Sequence, residues 1–333
     1  MAYREYSINA LADIPPIVAA FATEVGWNVF DGDTLRHPNY EGNGPGGLAF
    51  KLTTSVDGLN HFLRWECVTA GFTDKRAAIR SPIYSTVAAP TVNTTQLPTK
   101  LFLISMLTPE PYIAIVVEYG YNLYRHLYLG FMEKIGNYRG GEVIGASNGF
   151  YGQISGTEYW NNDSYHQFLF TCNQAIWTEA ASGGVHVSHA ENASPWRHFK
   201  YKARIDTTGN WTNWLAGNEA FGGFLDSFND SYPAKGKNSL AGANVLSPIS
   251  LFATQLVTGD IRFIPIGNPA GVRLINIEEL EAQAVAEVGG ETWYTFACHR
   301  KSSDLYDRGP IPSGSRYPVS ETSYYLGYAY RGA

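Results

Sequence analysis

Cysteine is scarce in this chain: Cys67, Cys172 and Cys298 stand far apart among 333 residues. Three thiols cannot all pair, and no Cys-x-x-Cys spacing suggests zinc. The pattern fits assembly in a reducing cytosol. Charge is scarce too, at 16% of residues, where about a quarter is usual. The formal net charge is −6 and there is no basic run, so a surface that tracks nucleic-acid phosphates is not expected. No apolar run reaches about 18 residues, so no membrane span is expected. The opening MAYREYSINALADI has no basic segment followed by an apolar core, which argues against a signal peptide. Sequons at Asn93, Asn162, Asn192, Asn210 and Asn229 arise by chance in a chain rich in Asn and Thr.

Aromatic residues, by contrast, reach 14%, with 22 Tyr, and there are 34 Gly. Tyrosine joins a broad apolar ring to a hydrogen-bonding tip, which suits sheets and interfaces. Many Gly and Asn imply many turns. The expectation is a mainly β protein of antiparallel, sandwich-like sheets, with one N-terminal helix and long loops.

Ile14, Ile17, Val18, Phe21 and Val25 recur at helical spacing. Asp13 is placed to cap that helix, Pro15 and Pro16 fit its first turn, and Gly26 ends it. Beyond Trp27 the pattern becomes strands and turns. Asp31-Gly32 and Asp57-Gly58 lie between apolar runs and read as hairpins. Residues 86–99, rich in Pro and Thr, read as a linker or extended arm. Two units are therefore expected. Residues 1–90 would hold the helix and a small β domain. Residues 91–333 would form a larger β-rich domain with long loops over 150–260 and a C-terminal β segment. KLFLISML, YIAIVVEYG and LYRHLYLGFMEKIG form an antiparallel meander in this reading. The segment 278–288, EELEAQAVAEV, reads equally as a short helix or an excursion between strands.

Several stretches invite chemistry. GASNG (145–149) has the nucleophile-elbow pattern around Ser147, but no helical period follows it. A β-turn is the better reading. GNGPGG (42–47) has dinucleotide-loop spacing, yet the strand-like LAFKLTTS follows where a helix is needed. VHVSHAE sets His186 and His189 three apart beside Glu191, with His198 as a third candidate ligand. On a strand that offset puts the two imidazoles on opposite faces. NWTNW carries Trp211 and Trp214 among amides, which suits either glycan stacking or a subunit contact. In LYRHLYLG, alternation groups Tyr124, His126, Tyr128 and Gly130 on one face. It groups Leu123, Arg125, Leu127 and Leu129 on the other. Neither face is polar, so this strand should be covered on both sides, with His126 a satisfied structural histidine. Adjacent Glu133 and Lys134 point apart and form no acid–base pair. No catalytic residue, cofactor or metal is assigned.

The stretch PEPYIAIVVEYGYNLYRHLYLGFMEKIGNYRGGEVIGAS (109–147) resembles a pattern in tailed-bacteriophage virion proteins. An apolar strand is followed by an aromatic–Arg–His–aromatic strand, a turn and Gly-Gly. VRLINIEELEAQAVAEVGGETWYTFACHRK (272–301) and the terminal YYLGYAYR are similar to the same group. The resemblance implies a virion structural protein, assembled in the host cytoplasm, and assembly rather than chemistry. Its placement would be the tail tip or baseplate, with a neck, collar or capsid-decorating position as the alternative. Its implied partners are other virion proteins and copies of itself. A receptor- or glycan-binding tail module built on Trp211 and Trp214 is the rival from a binding class. A sugar-cleaving enzyme would need two carboxylates about 5–9 Å apart, and the sequence singles out no such pair.

Overall fold

A computed structural model describes residues 2–36, 48–69, 76–85, 93–120, 122–137, 140–147, 169, 185–189, 196–197, 246–257, 260–277, 280–298 and 326–332. Strand β1 (Ala2–Ser7) leads through a 3₁₀ turn (Leu11–Asp13) into helix α1 (Ile14–Glu24). Hairpin strands follow: β2 (Asn28–Phe30), β3 (Thr34–Arg36), β4 (Ala49–Asp57), β5 (Asn60–Cys67) and β6 (Arg76–Arg80). Then come β7 (Ile83–Ser85), β8 (Asn93–Thr95), β9 (Lys100–Met106), β10 (Tyr112–Glu118), β11 (Tyr124–Lys134) and β12 (Gly140–Ala146). The remainder are β13 (Val185–His189), β14 (Trp196–Arg197), β15 (Ser247–Pro248), β16 (Leu251–Val257), β17 (Asp260–Pro269), β18 (Val272–Asn276), β19 (Gln283–Val288), β20 (Glu291–Ala297) and β21 (Leu326–Arg331).

The protein is mainly β, and every strand pair among the described residues is antiparallel. A central sheet runs β1-β9-β10-β11-β12-β13-β14, with β17 pairing the far end of β11 and β16 pairing β17. The meander β9–β11 forms as its sequence predicts, and β12 extends it by one more antiparallel strand. Its apolar residues alternate strictly between two cores. Phe102, Ile104, Ala114, Val116, Tyr124 and Tyr128 join the core shared with the C-terminal sheet, β15-β18-β21-β20-β19. Leu101, Leu103, Ile113, Ile115, Leu127 and Leu129 join the core shared with α1 and the sheet β2–β6. The central sheet is thus sandwiched, and β11 is covered on both sides as its alternation requires.

Helix α1 buries Ile14, Val18, Phe21 and Ala22, while Ile17 is half-buried. Its first turn tolerates Pro15 and Pro16 because those N–H groups have no intrahelical acceptor. Asp13 occupies the cap position but does not cap the helix as expected. Its Oδ2 turns back to accept from the Asn9 and Ala10 backbone N–H groups at 3.2 and 3.0 Å. Gly26 stops the helix at φ 91°, a conformation glycine adopts without strain.

Five further expectations meet the structure here. The Asp31-Gly32 and Asp57-Gly58 turns do close hairpins, β2–β3 and β4–β5. The arm expected over 86–99 contains a strand, because Asn93–Thr95 pairs with Ile83–Ser85. Over 278–288 the helical alternative gives way to strand β19. Gly289 and Gly290, at φ 64° and 81°, make the tight turn that folds it onto β20. Strand β1, from the expected 1–90 unit, pairs residue for residue with β9 of the expected 91–333 unit. One core also runs through both. Most of residues 150–260, where long loops are expected, and HFKYKARI (198–205), which reads as a strand, lie outside the described residues.

Candidate functional site

The densest group of chemically capable side chains surrounds His126. Register places His126 opposite Val116 on β10, on the face turned toward the C-terminal sheet. There Phe296, Tyr328 and Tyr330 enclose its ring, with centroid distances of 6.5, 4.9 and 6.0 Å. Imidazole Nε2 lies 2.9 Å from the Ala297 carbonyl, and Nδ1 lies 2.9 Å from the Tyr330 hydroxyl. A carbonyl only accepts, so Nε2 carries the proton and donates to it. Nδ1 then accepts from the Tyr330 O–H. Both nitrogens are used, and the side chain is 0% exposed. Burial pushes the His126 pKa down to about 3; the Ala297 hydrogen bond works against this, and nearby Arg125 adds to it. The ring is neutral and occupied, unlike a general base, which needs a pKa near its working pH and an accessible lone pair.

Ser147 sits beside it and is equally committed. The Ser147 hydroxyl accepts from the His126 backbone N–H at 2.8 Å, and the Ser147 N–H donates to the His126 carbonyl at 2.8 Å. Ser147 therefore closes the end of the β11–β12 ladder and is buried. It does not stand exposed at a strained tip, which a nucleophile elbow requires.

Other hydroxyls on this face also tie the two sheets together. Tyr128 donates to the Ala270 carbonyl at 2.7 Å, and Tyr112 donates to the Arg331 carbonyl. The Leu169 N–H donates to the Tyr328 hydroxyl at 2.6 Å. Burial pushes the hydroxyl pKa values of Tyr112, Tyr128, Tyr328 and Tyr330 up, so all four stay protonated donors. Burial pushes the Cys298 thiol up as well, which makes it a poor nucleophile. Glu133 and Lys134 take different partners. Glu133 binds Arg273 Nη2 through both carboxylate oxygens, at 3.0 and 2.9 Å, and Lys134 Nζ donates to the Gly140 carbonyl at 3.3 Å.

At the rim of the same interface, Tyr3 stacks on Tyr294 with centroids 4.3 Å apart and receives Gln283 Nε2 at 3.1 Å. Burial, and then the nearby Glu5 charge, raise its hydroxyl pKa to about 12. Lys100 Nζ pairs with Glu5 at 2.8 Å, and burial raises the Glu118 carboxyl. The sequence reading missed Tyr3, Tyr112 and Tyr330. Alternation in YYLGYAYR does put Tyr328 and Tyr330 on one face, but it does not reveal which strand they meet.

The remaining candidates separate. The GNGPGG loop lies outside the described residues, and strand β4 starts at Ala49 where a dinucleotide site needs a helix. The backbone of Val185–His189 is a strand that pairs with β12, Ile144 opposite His186 and Gly140 opposite His189. Glu191, His198, Trp211 and Trp214 lie outside the described residues. Among the described residues, no group of three His, Cys, Asp or Glu is arranged to hold a metal ion. Among them, too, no helix is long and apolar enough to cross a membrane. No protein-family profile matches this chain, and no curated protein matches it either.

Proposed function

We propose that this chain is a structural component of a tailed-phage virion, at the tail tip or baseplate, working through protein–protein assembly contacts. One observation carries the reading. The two sequence blocks that resemble virion proteins, 109–147 and 272–301, are the two walls of a single core. Strands β10, β11 and β12 come from the first block and β18, β19 and β20 from the second. Their most reactive-looking residues, His126, Ser147, Tyr128 and Glu133, are spent on internal bonds between or within those walls. The resemblance therefore rests on a scaffold, and a scaffold suits assembly. Low charge adds to it, since a chain with few charges has few ions to desolvate on association.

The test is immunogold labelling of purified particles, with copy number from quantitative mass spectrometry. Label at the tail end, in a copy number set by a cyclic symmetry, is the expected result. Label at the neck or head keeps the structural role and moves the position. Absence from particles overturns the proposal.

A further inference from the structure

Strand β19 ends its sheet, and among the described residues nothing pairs with its outer side. The Ala282 carbonyl accepts from the Ala297 N–H of the neighbouring chain segment. The Ala284 carbonyl likewise receives the Thr295 hydroxyl of β20 at 3.0 Å. In an antiparallel ladder, alternate residues direct both backbone groups to the same side. Ala284, Ala286 and Val288 therefore serve β20. Gln283, Val285 and Glu287 send their N–H and C=O groups outward.

Edge strands are ordinarily blunted by charge, proline, bulges or short length. Strand β1, at the edge of the central sheet, carries Arg4 paired with Glu24 and Glu5 paired with Lys100. Strands β2 and β15 have three and two residues. Strand β19 has only one of these guards, the charge of Glu287. It pairs without a bulge from Gln283 to Val288, and its central Val285 is 59% exposed.

We infer that β19 is a self-association edge, pairing antiparallel with β19 of a second copy about a two-fold axis at Val285. The sequence around that axis is self-complementary. An axis at Val285 sets outward residues opposite outward residues: Val285 meets Val285 and Gln283 meets Glu287. Gln283 Nε2 gives one N–H to Tyr3 and Glu287 Oε1 accepts from Thr292, so the second amide N–H and the other carboxylate oxygen remain to meet across the axis, whereas an axis at Glu287 would set two carboxylates face to face. The same two-fold leaves Ala284 opposite Ala286, small side chains that let the strands approach. A single strand pair is a small interface, suited to copies already held close in a larger assembly. The inference rests on the assembly reading for its purpose, while the geometry of the edge is independent of it.

The purified full chain tests this without any particle. Val285→Cys places its Cα about 5.5 Å from its symmetry mate, within disulfide range. Cys67 and Cys298 are buried, and Cys172 is replaced by Ser in every chain compared, the wild-type control included. Under mild oxidation Val285→Cys should run as a covalent dimer on a non-reducing gel. Wild type and Val56→Cys, whose parent residue is 67% exposed on another sheet, should remain single chains. The wild-type mass in sedimentation should double with rising concentration. Val285→Pro removes an outward N–H and no ladder bond to β20, so it should keep its circular dichroism and lose the association. Gln283→Glu sets carboxylate against carboxylate, and should weaken association in a way that added salt restores. A wild-type mass that never doubles, cross-linking of Val285→Cys no faster than Val56→Cys, or undiminished association in Val285→Pro or Gln283→Glu overturns the inference. Each of these outcomes leaves the particle-labelling result untouched.

Discussion

The two faces of strand β11 are held by different physics. On one, Leu123, Leu127 and Leu129 meet helix α1 and the β2–β6 sheet mainly through close packing of hydrocarbon, with the buried Arg125 among them. On the other, Tyr124, His126 and Tyr128 meet the C-terminal sheet, and the contacts are directional. Tyr128 reaches the Ala270 carbonyl, and His126 spans Tyr330 and the Ala297 carbonyl. Hydrocarbon contacts gain by area and tolerate sliding. Hydrogen bonds in a buried seam fix one register, because any shift leaves buried polar groups unpaired. The same strand is thus glued on one side and keyed on the other.

The largest expected break is on the glued side. Leu127→Ala should cost about 2–5 kcal/mol in urea unfolding, and the loss should be the same at every pH. The keyed side should instead respond to acid. The folded-state pKa of His126 is about 3, below the unfolded value of about 6.5. The unfolded chain therefore takes up the proton first. The His126 contribution is fully present above pH 6.5 and is lost as pH falls toward 3, at about 1.4 kcal/mol per unit. His126→Gln keeps a donor and an acceptor and removes the titration, so subtracting its stability–pH curve from that of wild type should isolate this slope. Equal slopes would break the comparison. Smaller still, Tyr330→Phe leaves Nδ1 of His126 without its donor and should cost about 1–2 kcal/mol. In a double-mutant cycle that loss should be non-additive with His126→Gln. The smallest effect belongs to the rim, where both partners of the Lys100–Glu5 pair are exposed. Lys100→Met should cost at most about 0.5 kcal/mol, and less in high salt.

Much of this was legible in the residues. The two-faced burial of β11 follows from alternation alone, and Asp-Gly and Gly-Gly dipeptides mark hairpins that form. Alternation gives a strand its faces but not its neighbours, however. Nothing local in Tyr330 points to His126, 204 residues earlier. The helical alternative for 278–288 came from Glu, Leu and Ala, which favour helices in isolation. Pairing along the whole of β20 outweighed that preference. Strand β1 went unread because AYREYS carries charge on a strand whose apolar contacts, Tyr3 with Tyr294 among them, lie far along the chain.

That distance bears on the order of events during synthesis. Residues Ala2–Ser7 emerge from a ribosome long before Lys100–Met106, their partners in the sheet. The ring that stacks on Tyr3 is made later still. Until β9 has been made this segment has no ladder to join, and a chaperone or a neighbouring nascent chain meets it as an open strand. The charges of Arg4 and Glu5, which later pair with Glu24 and Lys100, then have a use before the fold exists: on a waiting strand, charge opposes pairing with the wrong edge.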